Sequence, residues 1–364
     1  MARNKIIESL LFYPASVLYG LGVNIRNYLF SCGILKSQTF DIPVISVGNL
    51  AAGGTGKTPH TEMIIQLLKS KYTVGVLSRG YGRKTKGFRL LDSTATPQNC
   101  GDEPYQMYLK YGGSVTFAVC EKRTEGIKRM REENPKLQVI VLDDAFQHQY
   151  VKPSLSIVLT EFNRPVFYDK LLPLGRLREP VSGLNRCDAV IVTKCPQNLK
   201  PIEYRIFINK LNLFPYQKLF FSHLVYGTPK ALFPTSAYGY ISLDGLSDRD
   251  AILSVTGIAN PRPFVIYLRK HQAPVKVKTF GDHHNFTSSD FEIIKDKFNS
   301  LQGEHKYIFT TEKDAVKIIN NPHFPAELKP YIFYIPINVS IEDNEDGSFA
   351  DYIIKHIAQN KVNN

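Results

Sequence analysis

The stretch D-I-P-V-I-S-V-G-N-L-A-A-G-G-T-G-K-T-P, residues 41–59, decides which fold the sequence predicts. Its first part, residues 42–47, is apolar and mostly β-branched, which is typical of a buried strand. A loop rich in glycine and alanine follows, and Lys57 and Thr58 open a segment with the apolar spacing of a helix. A strand, a glycine-rich loop and a helix in this order predict a phosphate-binding loop, although an ordinary glycine-rich turn has the same outline.

The residue types of this loop suit a bound phosphate. Glycines let several backbone N–H groups turn toward one anion, and the helix that begins at Lys57 adds the positive end of its dipole. We expect Lys57 to reach the β- and γ-phosphates of ATP and Thr58 to place its hydroxyl on Mg²⁺. The pattern G-x-x-x-x-G-K-[ST] is broken at one position. The predicted nucleotide-binding residues are Ala51 (where the pattern has glycine), Ala52, Gly53, Gly54, Thr55, Gly56, Lys57 and Thr58.

A second feature downstream completes the prediction of a nucleotide site. Residues 137–142 form an apolar run that leads directly into Asp143 and Asp144. An apolar strand that ends in acid, after a phosphate loop, indicates a Walker B arrangement, in which a carboxylate holds Mg²⁺ or its water. We therefore predict a metal site formed by Thr58, Asp143 and Asp144.

Apolar strands alternate with helical segments through Lys194, and a weaker α/β pattern restarts at about residue 251. The predicted fold class is α/β: a P-loop NTPase-type, doubly wound, mostly parallel sheet, with a second, smaller α/β domain and an N-terminal amphipathic helical segment. The predicted divisions are a membrane-associated segment (1–38), a P-loop core (39–216), a hinge or linker (217–240) and a smaller α/β C-terminal domain (241–358).

The composition limits the class of protein. The 364 residues are 43% hydrophobic and 21% charged, which describes a globular protein long enough for two domains. The net charge of +12 favours an anionic partner, which could be nucleic acid, an anionic membrane or a phosphorylated substrate. The five scattered cysteines include no C-x-x-C pair, so we expect a reducing compartment and no disulfide framework or structural zinc.

An uncharged run lies between Glu8 and Arg26. It is slightly shorter than the ~20 apolar residues needed to cross a bilayer, and Pro14, Gly20 and Gly22 interrupt it. We expect this segment to lie on a membrane surface; the alternative is a helical hairpin packed on the body of the protein. The residues expected at the membrane are the cations Arg3, Lys5, Arg26, Arg83 and Lys84 and the apolar residues Leu10, Leu11, Phe12, Tyr19, Tyr28, Leu29 and Phe30.

Three further loops carry candidate polar residues. Arg79, Tyr81 and Arg83 follow a predicted strand, where ligands bind in open α/β sheets, so that they could contact an anion or a sugar. Asp102 and Glu103 stand at a predicted helix start, as a base near the phosphoryl group or as simple caps. The run D-H-H at residues 282–284 is weak as a metal site and better suited to proton transfer.

The motifs in their order resemble those of the tetraacyldisaccharide 4'-kinase family of the lipid A pathway. The resemblance covers residues 40–317 and includes V-G-N-x-x-x-G-G-T-G-K-T-P (47–59), S-R-G-Y-G-R (78–83), G-D-E-P (101–104), L-D-D-A-F-Q-H (142–148), L-P-x-G-x-L-R-E-P (172–180), T-G-I-A-x-P (256–261), F-x-D-H-H (280–284) and T-E-K-D-A-V-K (311–317). The family commonly has glycine where this chain has Ala145, and it does not keep the first Walker glycine, as Ala51 illustrates.

The resemblance implies phosphorylation, by ATP and Mg²⁺, of the 4'-hydroxyl of a tetraacylated glucosamine disaccharide 1-phosphate, giving lipid IVA. The implied location is the cytoplasmic face of a bacterial inner membrane, with peripheral attachment or a single N-terminal anchor. Carried over by motif, Asp102 and His283 take the acceptor proton beside Lys57, which requires closure of the two domains about residues 217–240. Supporting or substrate-contacting residues are then Arg79, Tyr81, Glu103, Arg123, Arg178, Glu179 and, less strongly, His284.

Two other classes stay open on the residues alone. Deviant Walker ATPases also contain G-G-T-G-K-T, but they carry a signature lysine before the glycines, where this chain has Ala52. The charge of +12 suggests a nucleic-acid-binding module. Against that, the basic residues gather around the nucleotide loops and no RRM, KH or zinc pattern is present. We therefore expect a glycolipid substrate and no nucleic-acid partner.

Overall fold

The chain forms two compact units in the computed structural model, which describes residues 2–235, 241–282, 284–342 and 347–362. Unit 1 comprises Met1–Leu224 and Val339–Asn364, and unit 2 comprises Val225–Asn338. The boundary after Leu224 falls inside the segment predicted as a hinge or linker. The other boundary differs from the predicted domains, because residues 339–358 belong to unit 1 and not to the C-terminal domain.

The strands and helices are numbered in chain order. The strands are β1 Val44–Asn49, β2 Val74–Ser78, β3 Arg89–Leu90, β4 Thr116–Val119, β5 Val139–Asp143, β6 Leu155–Glu161, β7 Ala189–Thr193, β8 Lys218–Tyr226, β9 Lys230–Ala231, β10 Asp250–Thr256, β11 Val275–Thr279, β12 His305–Thr311, β13 Ile332–Ile335 and β14 Ile337–Ile341. The helices are α1 Ala2–Ser31, α2 Lys57–Leu68, α3 Pro97–Cys100, α4 Asp102–Tyr111, α5 Arg123–Glu133, α6 Pro201–Leu211, α7 Arg262–Leu268, α8 Ser288–Asn299, α9 Glu312–Ile319 and α10 Phe349–Val362.

The larger sheet explains why its strands read as continuous apolar runs. Every residue of β1, β2, β5 and β7 is buried. The apolar clusters that include Val158 with Val190 and Ile140 with Ile127 lie on the same side of the sheet, because the parallel register brings Val158 and Ile140 to one face. Ile45 and Val141 point to the opposite face and are completely buried as well. Strands that are buried on both faces have no polar side to alternate with. The sequence therefore indicated their positions to within a few residues.

The strand order places the phosphate loop at the centre of the larger sheet. The order is β14-β8-β7-β6-β1-β5-β2-β4-β3, and β1 pairs in parallel with both β5 and β6. Because the chain passes from β5 to β6 on the other side of β1, the direction of winding reverses there. Ligands of doubly wound sheets bind outside the carboxyl ends of the strands at such a point. The predicted fold, a P-loop-type parallel sheet, is confirmed.

Unit 2 contains a smaller sheet of the order β11-β10-β12-β13-β9. Strands β10 to β13 are parallel, and β9 pairs antiparallel with β13. Its core is rich in aromatic side chains, and Phe264, Phe291, Phe309 and Phe333 are almost completely buried. This unit is the second, smaller α/β body that the sequence predicted.

The first helix presents its apolar side outward. Leu18, Leu21, Ile25 and Tyr28 are 70%, 53%, 59% and 65% exposed, and their spacing of three or four residues places them along one stripe. In contrast Ser16, on another side of α1, is buried. The helix runs unbroken through Pro14, so the alternative of a helical hairpin is wrong. Among the helices in the described ranges, none combines the length and apolarity needed to cross a bilayer.

The last helix returns to unit 1 through contacts that are distant in sequence. The ring of Phe349 meets that of Phe220 edge-on at 5.0 Å, and the hydroxyl of Tyr352 donates to the carbonyl of Asp188 at 3.3 Å. Ile353 and Ile357, one turn apart on α10, are buried. These contacts are the physical reason why the C-terminal segment groups with unit 1.

Candidate active site

The phosphate loop connects the buried strand β1 to the start of α2. Gly56, directly before α2, has φ of +92°, a left-handed conformation that favours glycine. Gly48 is needed for a different reason, since a Cβ atom there would lie 2.6 Å from the Cβ of Phe146. This close contact packs the loop that follows β5 against β1. The predicted residues 51–58 thus lie together at the carboxyl end of the central strand.

Asp143 and Asp144 lie beside the phosphate loop, as β5 is the neighbour of β1. Asp143 is 1% exposed and accepts hydrogen bonds from the hydroxyls of Thr61 (3.1 Å) and Ser78 (3.2 Å). Asp144 has φ of +46°, and its Oδ2 lies 3.7 Å from Lys57 Nζ. The structure therefore brings the predicted phosphate-binding lysine and the predicted metal-binding carboxylates into one cluster.

Two arginines hold this cluster from the sides. Arg178 donates to Asp144 Oδ1 at 2.9 Å and also to the side-chain oxygen of Asn49. Arg123 is 2% exposed and donates to the backbone carbonyls of Cys120 (2.7 Å) and Asp143 (3.3 Å). Burial lowers the pKa of Arg123 to about 10, which leaves it charged at neutral pH. Both arginines, which were predicted as supporting residues, thus surround the carboxyl end of β5.

The donor chemistry fits Mg²⁺, which prefers oxygen ligands and usually keeps several waters beside one or two carboxylates and substrate phosphates. Burial and the charges of Glu103 and Asp144 raise the pKa of Asp143 to about 6. A divalent cation would offset this excess of negative charge. Within the described ranges no group of three or more His, Cys, Asp or Glu side chains could hold a metal by itself. The residues therefore suit a cation that a bound nucleotide shares.

Asp143 gives a prediction about pH and stability. A carboxyl group whose pKa is raised by folding contributes stability that is present below the unfolded value of 3.8 and is lost as the pH rises through about 6. Asp143→Asn should therefore raise Tm of the magnesium-free protein at pH 8, and the gain should shrink as the pH falls toward 4. Differential scanning calorimetry measures both values. As a matched control, Asp92→Asn replaces an exposed aspartate whose pKa is lowered by Thr94 and should not raise Tm. A lower Tm for Asp143→Asn at pH 8 would contradict this account.

Two of the predicted loops pack against each other at the start of α4. Gly101 has φ of +94°, and a Cβ atom there would lie 3.0 Å from the carbonyl oxygen of Tyr81. Asp102 and Glu103 therefore begin α4 beside the S-R-G-Y-G-R loop. Tyr81 is 82% exposed, and its contact with a ligand stays a prediction.

One residue of this loop was assigned wrongly. Arg83 was expected at a membrane surface or on a ligand, but its side chain is only 2% exposed. It donates to Glu121 and to the carbonyl of Gly87, both at 2.6 Å. Arg83 therefore stabilises the fold of its own loop, whereas Arg79, which is exposed, can still contact a ligand.

In unit 2, the predicted proton-transfer residue His283 lies outside the described residues. His284 places Nε2 at 2.9 Å from Asp290 Oδ2, and its ring stacks on Phe280 at 4.7 Å. Lys313 forms an ion pair of 3.5 Å with Asp282. His284 therefore has a partner in its own unit, and its role in the reaction stays a prediction.

The loop of residues 171–180 contacts α1 on one side and the phosphate loop on the other. On one side it receives hydrogen bonds from α1, because Ser16 and Tyr19 donate to the carbonyls of Leu171 and Arg178, both at 2.9 Å. On the other side, the amide of Ala52 donates to the carbonyl of Arg176 at 2.7 Å, and the amide of Arg178 donates to the carbonyl of Leu50 at the same distance. Asn27 and Arg186 both contact Glu179, which is 1% exposed. A continuous path of contacts thus runs from the apolar helix to the nucleotide loop.

The geometry can be compared with known proteins. The sequence model described as "Tetraacyldisaccharide-1-P 4'-kinase" (LpxK) matches residues 8–358. The chain belongs to this family. A relative from Bacteroides thetaiotaomicron, named tetraacyldisaccharide 4'-kinase, is 48% identical over 358 residues, which are 96% of this chain and 94% of the relative. A relative of the same name from Flavobacterium johnsoniae is 41% identical over 362 residues, or 97% of this chain and 99% of the relative.

A solved LpxK kinase supports the same assignment at the level of structure. The crystal structure of LpxK from Aquifex aeolicus, in an "apo" form in complex with ATP, has a TM-score of 0.73 and 27% sequence identity. The match covers 97% of this chain and 99% of that one. The predicted family and the kinase class are therefore confirmed, whereas ATP binding by this chain and the roles of individual residues stay predictions.

Three polar residues of the site were assigned no role from the sequence, although two of them lie within the motifs of the family. Asn49, Thr61 and Ser78 are all buried. The side chain of Asn49 donates a hydrogen bond to Thr55, and the hydroxyls of Thr61 and Ser78 both donate to Asp143. Each lies in or next to an apolar strand or helix face, where a small polar residue gives no sequence signal of a functional role. The available signal was their position at the carboxyl ends of β1 and β2 and in the first turns of α2.

Proposed function

We propose that this protein transfers the γ-phosphate of ATP to the 4'-hydroxyl of a tetraacylated glucosamine disaccharide 1-phosphate, giving lipid IVA. The observation that carries the proposal is the contact of Lys57 with Asp144, 3.7 Å apart at the junction of β1, β5 and α2, in a chain of the LpxK family. Phosphoryl transfer is catalysed mainly by positioning and by neutralising charge. A lysine, two arginines and two carboxylates at one sheet edge supply both.

In this mechanism Lys57 exchanges Asp144 for the β- and γ-phosphates when ATP binds. Asp143, Asp144 and Thr58 would hold Mg²⁺, whose chemistry is to neutralise the charge on the phosphates. Arg178 keeps the side chain of Asp144 oriented toward the site. Arg123 holds the backbone of Asp143 through a hydrogen bond to its carbonyl oxygen.

The acceptor hydroxyl needs a base. We assign this role to Asp102 at the start of α4, acting with His283, as the family motifs imply. A movement about residues 217–240 that brings the two residues together is part of this proposal. An ATP-bound structure in which Asp102 and His283 lie far apart would count against this pair.

The acceptor side of the site is suggested by polar groups near α1. Glu179 is buried, and its Oε1 has no hydrogen-bond partner among the described residues, so that it could accept a bond from a sugar hydroxyl. A cleft of about 710 Å³ beside His148 is lined by Lys36 and Lys122, which would attract an acceptor that carries phosphate. His148 and Tyr150, which also line this cleft, belong to the loop after β5.

The outward stripe of α1, defined by Leu18, Leu21, Ile25 and Tyr28, supports peripheral attachment to the cytoplasmic face of the inner membrane. A helix that packs on a soluble body normally turns its apolar side inward. Here the inward side is anchored by Ser16 and Tyr19 instead. Of the residues expected at the membrane, Phe12 and Tyr28 are exposed, whereas Phe30 packs edge-on against Tyr150 at 5.1 Å.

The attachment has a direct test. Changing Leu18, Leu21 and Ile25 together to Glu should weaken binding to vesicles by at least about 100-fold, because each side chain would lose its transfer into the interface. Sedimentation with vesicles of phosphatidylethanolamine and phosphatidylglycerol measures this. The matched control changes Ile202, Ile206 and Ile208 of α6 to Glu, since these are 59%, 41% and 55% exposed and alter the charge equally. Equal losses in both variants would show that net charge, and not α1, sets binding.

The activity itself is tested by transfer of labelled γ-phosphate from Mg-ATP to the tetraacyl disaccharide 1-phosphate in detergent. A labelled lipid that depends on both substrates supports the proposed function. ATP hydrolysis without any labelled lipid, at a rate independent of the acceptor, would instead favour a regulatory NTPase.

A further inference from the structure

The carbonyl groups of the phosphate loop are held from outside by three side chains. The hydroxyl of Thr193 donates to the carbonyl of Thr55 at 2.8 Å, and the ammonium group of Lys194 lies 2.5 Å from the carbonyl oxygen of Gly54. Nδ1 of His60 lies 2.7 Å from the carbonyl oxygen of Gly56. Three consecutive loop carbonyls, those of residues 54–56, therefore each meet a side-chain donor.

The chemistry of His60 fixes its tautomer. A carbonyl oxygen only accepts, so Nδ1 must carry the hydrogen, and Nε2 then accepts from the hydroxyl of Ser222 at 2.8 Å. The imidazole is completely buried, and burial lowers its pKa to about 4. His60 therefore stays neutral and keeps one fixed donor toward Gly56 at all pH values at which a kinase is assayed.

The end of β7 is shaped for this contact. Thr193, its last residue, is completely buried, and Lys194 directly after it has φ of +57°, which is unusual for a residue other than glycine. A backbone held in this region costs free energy and persists where the surroundings require it. Here the turn directs the Lys194 side chain to the loop, where Glu161 also binds its ammonium group at 3.1 Å.

Fixing a carbonyl also fixes the amide that follows it. Across a trans peptide bond, the N–H group points away from the C=O group of the preceding residue. Anchoring the carbonyls of Thr55 and Gly56 therefore sets the direction of the Gly56 and Lys57 amides, which belong to the part of the loop expected to face the phosphates. A loop that is already in its binding conformation loses less entropy when the nucleotide arrives.

We propose that Thr193, Lys194 and His60 form a carbonyl clamp, a set of positioning residues that pre-organises the phosphate loop for nucleotide. The clamp residues act through the loop backbone and need not touch the nucleotide. The inference rests on the proposed function only in that the loop binds ATP. It assigns a role to T-K at the end of β7 and to the histidine after K-T-P, neither of which the kinase mechanism above uses.

The test measures nucleotide binding without any acceptor. Thr193→Val keeps the shape of the side chain but removes the donor, so that the Thr55 carbonyl loses its partner; Kd for a fluorescent mant-ATP with Mg²⁺ should rise about 10-fold. Thr193→Ser restores the hydroxyl and should return Kd to within about 3-fold of wild type. In the kinase assay, Thr193→Val should raise KM for ATP while KM for the lipid acceptor stays unchanged.

A matched control separates the clamp from general stability. Thr160→Val makes the same substitution on β6, where Thr160 is 1% exposed and its hydroxyl accepts from the amide of Val166 at 3.1 Å. It should lower Tm about as much as Thr193→Val but leave Kd unchanged. If both threonine variants lower Tm and neither changes Kd, or if both change it alike, the clamp is overturned.

His60 provides an independent pair of variants should Thr193→Val fail to fold. His60→Leu should raise Kd for mant-ATP about 10-fold, whereas His60→Asn, whose amide can donate from the position of Nδ1, should recover most of the affinity. Equal affinities for Leu and Asn would overturn the role of His60. A wild-type protein that binds mant-ATP but does not phosphorylate the lipid would refute the proposed function and leave the clamp standing.

Discussion

Replacing Lys57 with Met should lower kcat/KM for phosphoryl transfer by at least about 10³-fold. Lys57 opens α2 at the end of the phosphate loop, and its side chain is only 14% exposed. The charge of Lys57 is expected to stabilise the negative charge on the phosphoryl group most strongly in the transition state. Its removal should therefore mainly weaken stabilisation of the transition state. Methionine keeps much of the length and apolar surface of lysine, which limits any effect on packing. The measurement is the initial rate of transfer of labelled γ-phosphate to the lipid acceptor.

The same substitution at another lysine provides the comparison. Lys71 is exposed in the turn after α2, and Lys71→Met removes one positive charge at a distance from the phosphate loop. Its kinetics should equal those of the wild type. A Lys57→Met variant within about threefold of wild type would remove Lys57 from the mechanism and with it the assignment of the loop.

Replacing Asp102 with Asn should lower kcat by about 10²- to 10⁴-fold, the usual range for loss of a general base. The substitution preserves size and leaves the phosphate loop, Lys57 and the carboxylates of β5 in place. Affinity for Mg-ATP in the absence of acceptor should therefore stay within about threefold of wild type. Single-turnover transfer and equilibrium binding of nucleotide measure the two quantities separately.

The position of Asp102 in the first turn of α4 requires its own control. A carboxylate there also stabilises the helix through the dipole, so Tm of the variant must be measured. A variant with unchanged Tm and greatly reduced kcat supports the role as base. If kcat is unchanged, or if affinity for Mg-ATP falls in parallel with kcat, Asp102 is not the base and the pairing with His283 loses its support.

The sequence predicted the nucleotide half of the fold well because its signals are local. β1 and β5 are buried on both faces and lead into the residues predicted to bind phosphate and metal, so strand and motif lie within one short window. The return of α10 to unit 1 had no such signal. It depends on contacts such as Phe349 with Phe220, more than a hundred residues apart, which no local pattern records.

Side-chain direction was the weakest part of the prediction. The sequence of α1 is apolar on several sides, and nothing in its spacing shows that Ser16 faces the protein while Leu18 and Ile25 face outward. The side chain of Arg83 was wrongly predicted to be exposed, because an arginine in a glycine-rich loop usually is. Its partner Glu121 lies 38 residues further along the chain. Partners that are distant in sequence decided both cases.

The contacts from α1 through the loop of residues 171–180 to Ala52 affect how shortened forms of this kinase should be interpreted. Deleting the helix to improve solubility would also remove the donors Ser16 and Tyr19 from that loop, which backs the nucleotide site. Reduced turnover of a truncated enzyme would then have two causes, poorer access to the lipid and a less ordered phosphate loop. Point substitutions on the outer stripe alone separate them, so inhibitor screens against the ATP site should use the full-length chain.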